Sequence, residues 1–221
     1  MLSIKNLSKI FYRSNGEANF FYALKDINLD VEDNSFLEIV GKSGSGKTTL
    51  LNIISGLLTP DEGEVIIDGK NIFELDDNER SKFRNQMFGI IPQGGSGLQN
   101  LTVLENILLP SILYSDTDKH DEALKLLARL DILDLKDSYP NELSGGELRR
   151  MAIARALIMD PKIIFADEPT GDLDDSNTKI VLDILKSLQN EGKIIFMVTH
   201  DHDALDYATT VYKMDGGILK E

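Results

Sequence analysis

Short apolar runs recur along this chain, and their spacing predicts where the elements fall. Ile4 to Tyr12 and Ala23 to Val31 read as strands, the second with Leu24, Ile27, Leu29 and Val31 at its apolar positions. A polar turn containing Ser14-Asn15-Gly16-Glu17 separates them. Phe36 to Val40 is a third strand, and Thr49 to Ile54 follows as a helix that stops near Gly56. After a turn from Leu58 to Gly63 come a short strand, Val65 to Ile67, and the hairpin signal Asp68-Gly69. Met87 to Ile91 is another strand, closed by Pro92-Gln93, and Gly94-Gly95-Ser96-Gly97 reads as a flexible joint.

From about 101 to 159 the period changes to that of a helix. Val103, Ile107 and Leu108 share one face, and Ala123, Leu124, Leu127 and Leu130 another. Pro140 interrupts, and a further helix starts at Ser144 and runs through Leu157. Strands then resume at Lys162 to Ala166 and Lys193 to Val198, with an amphipathic helix over 176–190 between them and a small hairpin over 211–219. Continuous apolar strands alternating with helices predict an α/β fold whose parallel sheet is covered on both faces. Because strands return after the helices, 94–159 reads as a helical subdomain inserted into a core built from 1–93 and 160–221.

Composition narrows the function. The net charge is −14, and no Lys/Arg block stands out, which argues against a nucleic-acid partner. There is no cysteine, so disulfides and thiol chemistry are excluded. The N-terminus has no apolar signal core, and no run approaches the roughly 18 apolar residues of a membrane span. The expectation is a cytoplasmic protein; if it works at a membrane, another chain does the crossing.

Gly41-Lys42-Ser43-Gly44-Ser45-Gly46-Lys47-Thr48 lies between a strand and a helix. In that context the glycines let successive N–H groups face an anion, and the helix dipole adds attraction. Lys47 is expected to reach the β- and γ-phosphates and the Thr48 hydroxyl to bind Mg²⁺. The strand at 163–166 ends in Asp167-Glu168, where Asp167 is placed for a second Mg²⁺ contact. Glu168, pointing the other way if strand geometry persists, is placed to activate a water. His200, at the next strand's end, faces the same crevice, whereas His120 and His202 read as solvated.

Leu143-Ser144-Gly145-Gly146-Glu147 combines a capping box with two glycines in the first helical turn, which weaken a helix but leave its backbone bare. With this stretch the chain resembles the nucleotide-binding subunit of an ABC transporter. The loop at 41–48 matches that family's Walker A, Gln93 its Q-loop, and 143–147 its LSGGQ signature with Glu in the fifth place. Ile163 to Glu168 matches Walker B with its catalytic glutamate, Gly171-Asp172-Leu173-Asp174 the D-loop, and His200 the switch histidine. The order is right, and the match spans nearly the whole chain. Thr102-Val103-Leu104-Glu105-Asn106 and Pro140-Asn141-Glu142-Leu143 are similar to the lipoprotein-releasing, macrolide-export and peptide-resistance branch. The small residues at 94–97 depart from the bulkier ones usual there.

The resemblance implies a P-loop NTPase fold, a RecA-like core with an N-terminal antiparallel β subdomain. It implies an ATPase that uses ATP and Mg²⁺, with Glu168, His200 and Lys47 carrying the chemistry. Nucleotide contacts would come from Phe11 (or its neighbour Tyr12) against the base, from Gly41 to Thr49, Thr49 included, and from Gln93. Thr48, Gln93 and Asp167 would hold the metal. Two copies would meet head to tail, each lending Ser144, Gly145, Gly146, Glu147 and Asp174 to the other's nucleotide. The other implied partner is a membrane permease, which places the chain on the inner face of the cell membrane. A non-transport ABC ATPase of the cell-division or iron–sulfur assembly type stays open as an alternative.

Overall fold

Strands β1 (Leu2–Tyr12) and β2 (Phe20–Val31) pair antiparallel, and β1 also pairs antiparallel with β4 (Glu62–Ile67), which turns at Asp68-Gly69 into β5 (Lys70–Asn71). These features belong to a computed structural model that describes residues 1–12, 20–94, 97–115, 117–200 and 204–220. The polar turn read at 14–17, together with Gly95, Ser96 and His202, lies outside the described residues.

A second sheet holds six strands in the order β10-β9-β3-β8-β7-β6. Here β3 is Phe36–Val40, β6 Phe88–Ile91, β7 Ile163–Asp167, β8 Ile194–Thr199, β9 Thr210–Asp215 and β10 Ile218–Lys220. Strands β9, β3, β8, β7 and β6 run parallel, and only β10 pairs antiparallel, closing the terminal hairpin. Alternation sorts its side chains. Phe165, Ile194, Phe196 and Val198 join a core shared with β1, β2, β4 and helix α1 (Lys47–Ile54). Ile164, Ala166, Ile195 and Met197 face the other way, into a core shared with the helices α3 (Val103–Tyr114), α4 (His120–Arg129), α5 (Gly145–Leu157) and α6 (Asp175–Asn190). Every position of β3, β7 and β8 is buried, which is why these strands read as apolar runs, interrupted in β3 only by Glu38.

One helix has no counterpart in the apolar pattern. Helix α2 (Asp77–Met87) fully buries none of its residues and turns only Phe83 and Met87 to the core, too short an apolar stripe to read. Its start was nevertheless written in the sequence as a capping box: Glu79 N–H donates to Asp76 Oδ1 at 2.8 Å, and Asp76 N–H to Glu79 Oε2 at 3.1 Å.

Gly97, the last residue of the stretch read as a joint, is set by packing. A Cβ on Gly97 would crowd Pro140 and Met151 at 2.7 and 2.8 Å, so glycine is needed there for packing. Buried Asn106 accepts from Leu98 N–H at 2.7 Å and donates to the carbonyls of Leu98, Leu101 and Thr102. One amide thereby fastens the segment from Leu98 to Thr102 onto α3.

Candidate active site

The phosphate loop joins β3 to α1. Its last residue before the helix, Gly46, sits at φ 111°, and a Cβ there would collide with the Ala23 carbonyl. No side chain caps α1 and no acidic residue occupies its first turn, so the first N–H groups and the positive end of the helix dipole face the loop. Lys47 folds back across it, donating to Gly41 O at 2.6 Å and Lys42 O at 3.3 Å. Its ammonium lies 3.6 Å from Glu168 Oε1, and both side chains are buried.

Asp167, the last residue of β7, accepts from Thr48 Oγ1 at 3.2 Å. Burial pushes its carboxyl up from the ordinary range; the Thr48 bond resists, Glu168 adds to the rise, and Lys47 and Arg149 oppose it. The strand geometry expected to continue through Glu168 stops at Asp167. Glu168 takes a left-handed backbone, φ 46°, which costs a non-glycine residue about 1 kcal/mol. Its N–H still donates to Val198 O at 2.9 Å. The turn sends the carboxylate toward the end of β8: Oε2 accepts from Thr199 Oγ1 at 3.0 Å and His200 N–H at 3.1 Å, and faces His200 Nδ1 at 2.8 Å. A carboxylate so oriented, beside a lysine ammonium, is arranged to take a proton from a water in the cleft.

Lys47, Thr48, Glu168 and His200 meet in one cleft of about 560 Å³. The phosphate loop forms its floor, Glu168 and His200 one wall, and Gln93 a corner. Phe11 lines the far end beside Phe21, the two rings 6.0 Å apart. Tyr12 is 79 % exposed and does not line the cleft, against 36 % for Phe11. His120 is exposed, as read.

The signature stretch lies elsewhere on the molecule. Ser144 caps α5 in a full capping box: Glu147 N–H donates to Ser144 Oγ at 3.4 Å, and Glu147 Oε2 accepts Ser144 N–H and Oγ at 2.7 Å. Those Ser144 bonds hold the Glu147 carboxyl below its ordinary range. The two glycines have different reasons. A Cβ on buried Gly146 would overlap the Asn177 amide, so any side chain there must displace that amide. Exposed Gly145 has only ordinary contact with Leu173, so nothing internal requires it. Asp174 caps α6, accepting from Ser176 Oγ at 2.6 Å, Asn177 N–H at 2.9 Å and Asn177 Nδ2 at 2.7 Å, and these bonds push its pKa far down. Ser144, Gly145 and Asp174 do not line the cleft of their own chain.

Two residues of the site escape a reading by motif. Thr199 shows only as the polar end of an apolar strand. Arg149 sits on the buried face of α5 with Ala152, Ile153 and Ala156, a charge at a helical spacing otherwise apolar.

A family model described as "ABC transporter" matches residues 24–171. This chain belongs to the ABC transporter family. An ABC transporter ATP-binding protein of Methanocaldococcus jannaschii, MJ1508, is 44 % identical over 224 residues, covering 100 % of this chain and 98 % of the relative. The lipoprotein-releasing system ATP-binding protein LolD of Leptospira interrogans is 40 % identical, over 99 % of this chain and 90 % of its own length. The macrolide export ATP-binding/permease protein MacB of Chlorobium phaeobacteroides is 44 % identical over 89 % of this chain, which spans only 30 % of that longer protein. Among solved structures, the dimeric cassette MJ0796 aligns with TM-score 0.92 at 38 % identity, covering 100 % of this chain and 97 % of that one. The same cassette in a dimeric post-hydrolysis state with ADP and Pi aligns with TM-score 0.88 at 37 % identity, covering 100 % and 98 %. The fold is thus that of an ABC ATPase cassette, and the chain is the ATP-binding, ATP-hydrolysing component of an ABC transporter, of the lipoprotein-releasing and macrolide-export branch. Among the described residues no helix is long and apolar enough to cross a membrane.

Proposed function

We propose that this cassette works as a head-to-tail homodimer that closes on ATP, reopens on hydrolysis and so drives a separate membrane permease from the inner face of the cell membrane. One observation carries the reading. The cleft gathers Lys47, Thr48, Glu168 and His200, with Asp167 hydrogen-bonded to Thr48, while the bare helix tip at Ser144 and Gly145 lies exposed outside it. A second copy can bring that tip to a triphosphate held in the first, and the same contact then repeats by symmetry. The dimers reported for MJ0796 support it. ATP then acts as a ligand with higher affinity for the closed state than the open one, and its hydrolysis removes the bias.

The geometry supports the following roles. Lys47 and the N–H groups of α1 stabilise charge on the β- and γ-phosphates. Glu168, oriented by Thr199 and His200, receives the proton of the attacking water. Phe11 stacks on the base. The hard oxygens of Thr48 and Asp167, 3.2 Å apart at the cleft, fit Mg²⁺, with Gln93 as a third contact. Bound Mg²⁺ would neutralise charge on the phosphates.

Glu168→Gln tests the proposal. With ATP, light scattering should report twice the 24.6 kDa chain mass, and without nucleotide a monomer. A variant that stays monomeric at saturating ATP would contradict it.

A further inference from the structure

Arg149 connects three parts of the molecule that the reaction must coordinate. It lies on α5, the helix that begins at Ser144, and it is 4 % exposed. Its Nη1 donates to Pro92 O at 3.0 Å and reaches Gly94 O at 3.5 Å, the carbonyls on either side of Gln93. Its Nη2 reaches Gly171 O at 3.5 Å, in the turn that follows Glu168. Gly171 N–H in turn donates to Glu168 O at 3.2 Å. A small cavity of about 150 Å³ lies at this junction, lined by Arg149, Gln93, Glu168, Asp172 and His200. The guanidinium is therefore a buried fork whose prongs hold backbone, not side chains. Carboxylates at Asp172 and Asp167 offset the cost of burying its charge.

We propose that Arg149 is a positioning residue for ATP hydrolysis, tying the main chain around Gln93 and the turn after Glu168 to the helix that presents Ser144. A planar guanidinium suits this task because one prong fixes each segment in a common plane; an ammonium is a single point that satisfies one segment or the other. With the tie intact, movement of the inserted helices carries Gln93 and the glutamate turn together. With it cut, the cleft still binds ATP through the phosphate loop, but its corner and its catalytic wall lose their shared register.

The inference rests on the ATPase reading and is tested beside it, by steady-state hydrolysis of wild type, Arg149→Gln and Arg149→Lys, with kcat expressed per ATP-binding site. Arg149→Gln is expected to lower kcat at least tenfold while KM for ATP changes less than threefold. Arg149→Lys is expected to recover part of that loss. An inactive wild type would refute the ATPase reading itself. An active wild type with Arg149→Gln of equal kcat would overturn this inference alone. So would a parallel rise in KM, since the residue would then serve binding. Should Arg149→Gln fail to fold, Arg149→Lys decides: folded with a reduced kcat supports the proposal, whereas wild-type kcat, or loss of ATP binding altogether, overturns it.

Discussion

Glu38 is a buried acid that the proposed chemistry does not use, and its removal should stabilise the protein in a pH-dependent way. It lies on β3, the strand that feeds the phosphate loop, flanked by Met197 on β8 and Val211 on β9. It is 0 % exposed, and neither carboxylate oxygen has a hydrogen-bond partner. Burial pushes its pKa from 4.5 up to about 7. Below about pH 4.5 the group is protonated both folded and unfolded, and no linkage cost arises. Between there and pH 7 the unfolded chain releases a proton that the fold retains, so stability falls as pH rises. Above pH 7 both forms are ionised and the loss levels off. At about 1.4 kcal/mol per pKa unit the plateau is about 3 kcal/mol. Glu38→Gln keeps the shape and removes the ionisation. Urea unfolding followed by circular dichroism should find the variant within about 1 kcal/mol of wild type at pH 5 and about 3 kcal/mol more stable at pH 8. A gap that stays flat across that range would refute the claim that this carboxyl is held neutral by burial.

The signature glycines should separate in the same assay. Gly146→Ala must displace the Asn177 amide and break its bond to Asp174, whereas Gly145→Ala meets open surface, so Gly145→Ala should be about 1 kcal/mol the more stable of the two. Gly145→Ala should nonetheless lose ATP turnover; wild-type turnover would remove the reason given for bare backbone at that position. Phe11→Ala should weaken ATP binding several-fold by equilibrium titration, consistent with loss of one stacking contact of about 1 kcal/mol, and Tyr12→Ala should leave it unchanged. The reverse order would move the base to Tyr12.

Much of this molecule could be read before folding. Strands β3, β7 and β8 of the parallel sheet declare themselves because they are buried on both faces, and the helix start at Ser144 because its capping box is local. Helix α2 was illegible to periodicity because only Phe83 and Met87 turn to the core, although Asp76 and Glu79 marked its start. In the site, residues set by consecutive sequence were legible: the loop at 41–48, Asp167-Glu168 and His200. What was not legible depends on chain segments distant in sequence. Thr199 earns a role only once β8 lies beside β7. Arg149 matters through the carbonyls of Pro92, Gly94 and Gly171, which no motif contains. A reason for glycine at 146 within this chain, the nearby Asn177 amide, was hidden because Asn177 is remote in the sequence.

The sharing of sites between copies is tested most directly by mixing two inactive variants. Lys47→Ala loses its own phosphate loop but keeps an intact helix tip. Gly145→Asp keeps the loop but places an acid on the tip, which a helix start tolerates and a triphosphate does not. Each should be inactive alone. In an equal mixture, the intact loop of one faces the intact tip of the other, one site in each mixed dimer, and turnover should return to about a quarter of wild type. Turnover no greater than the sum of the two variants measured separately would contradict the account.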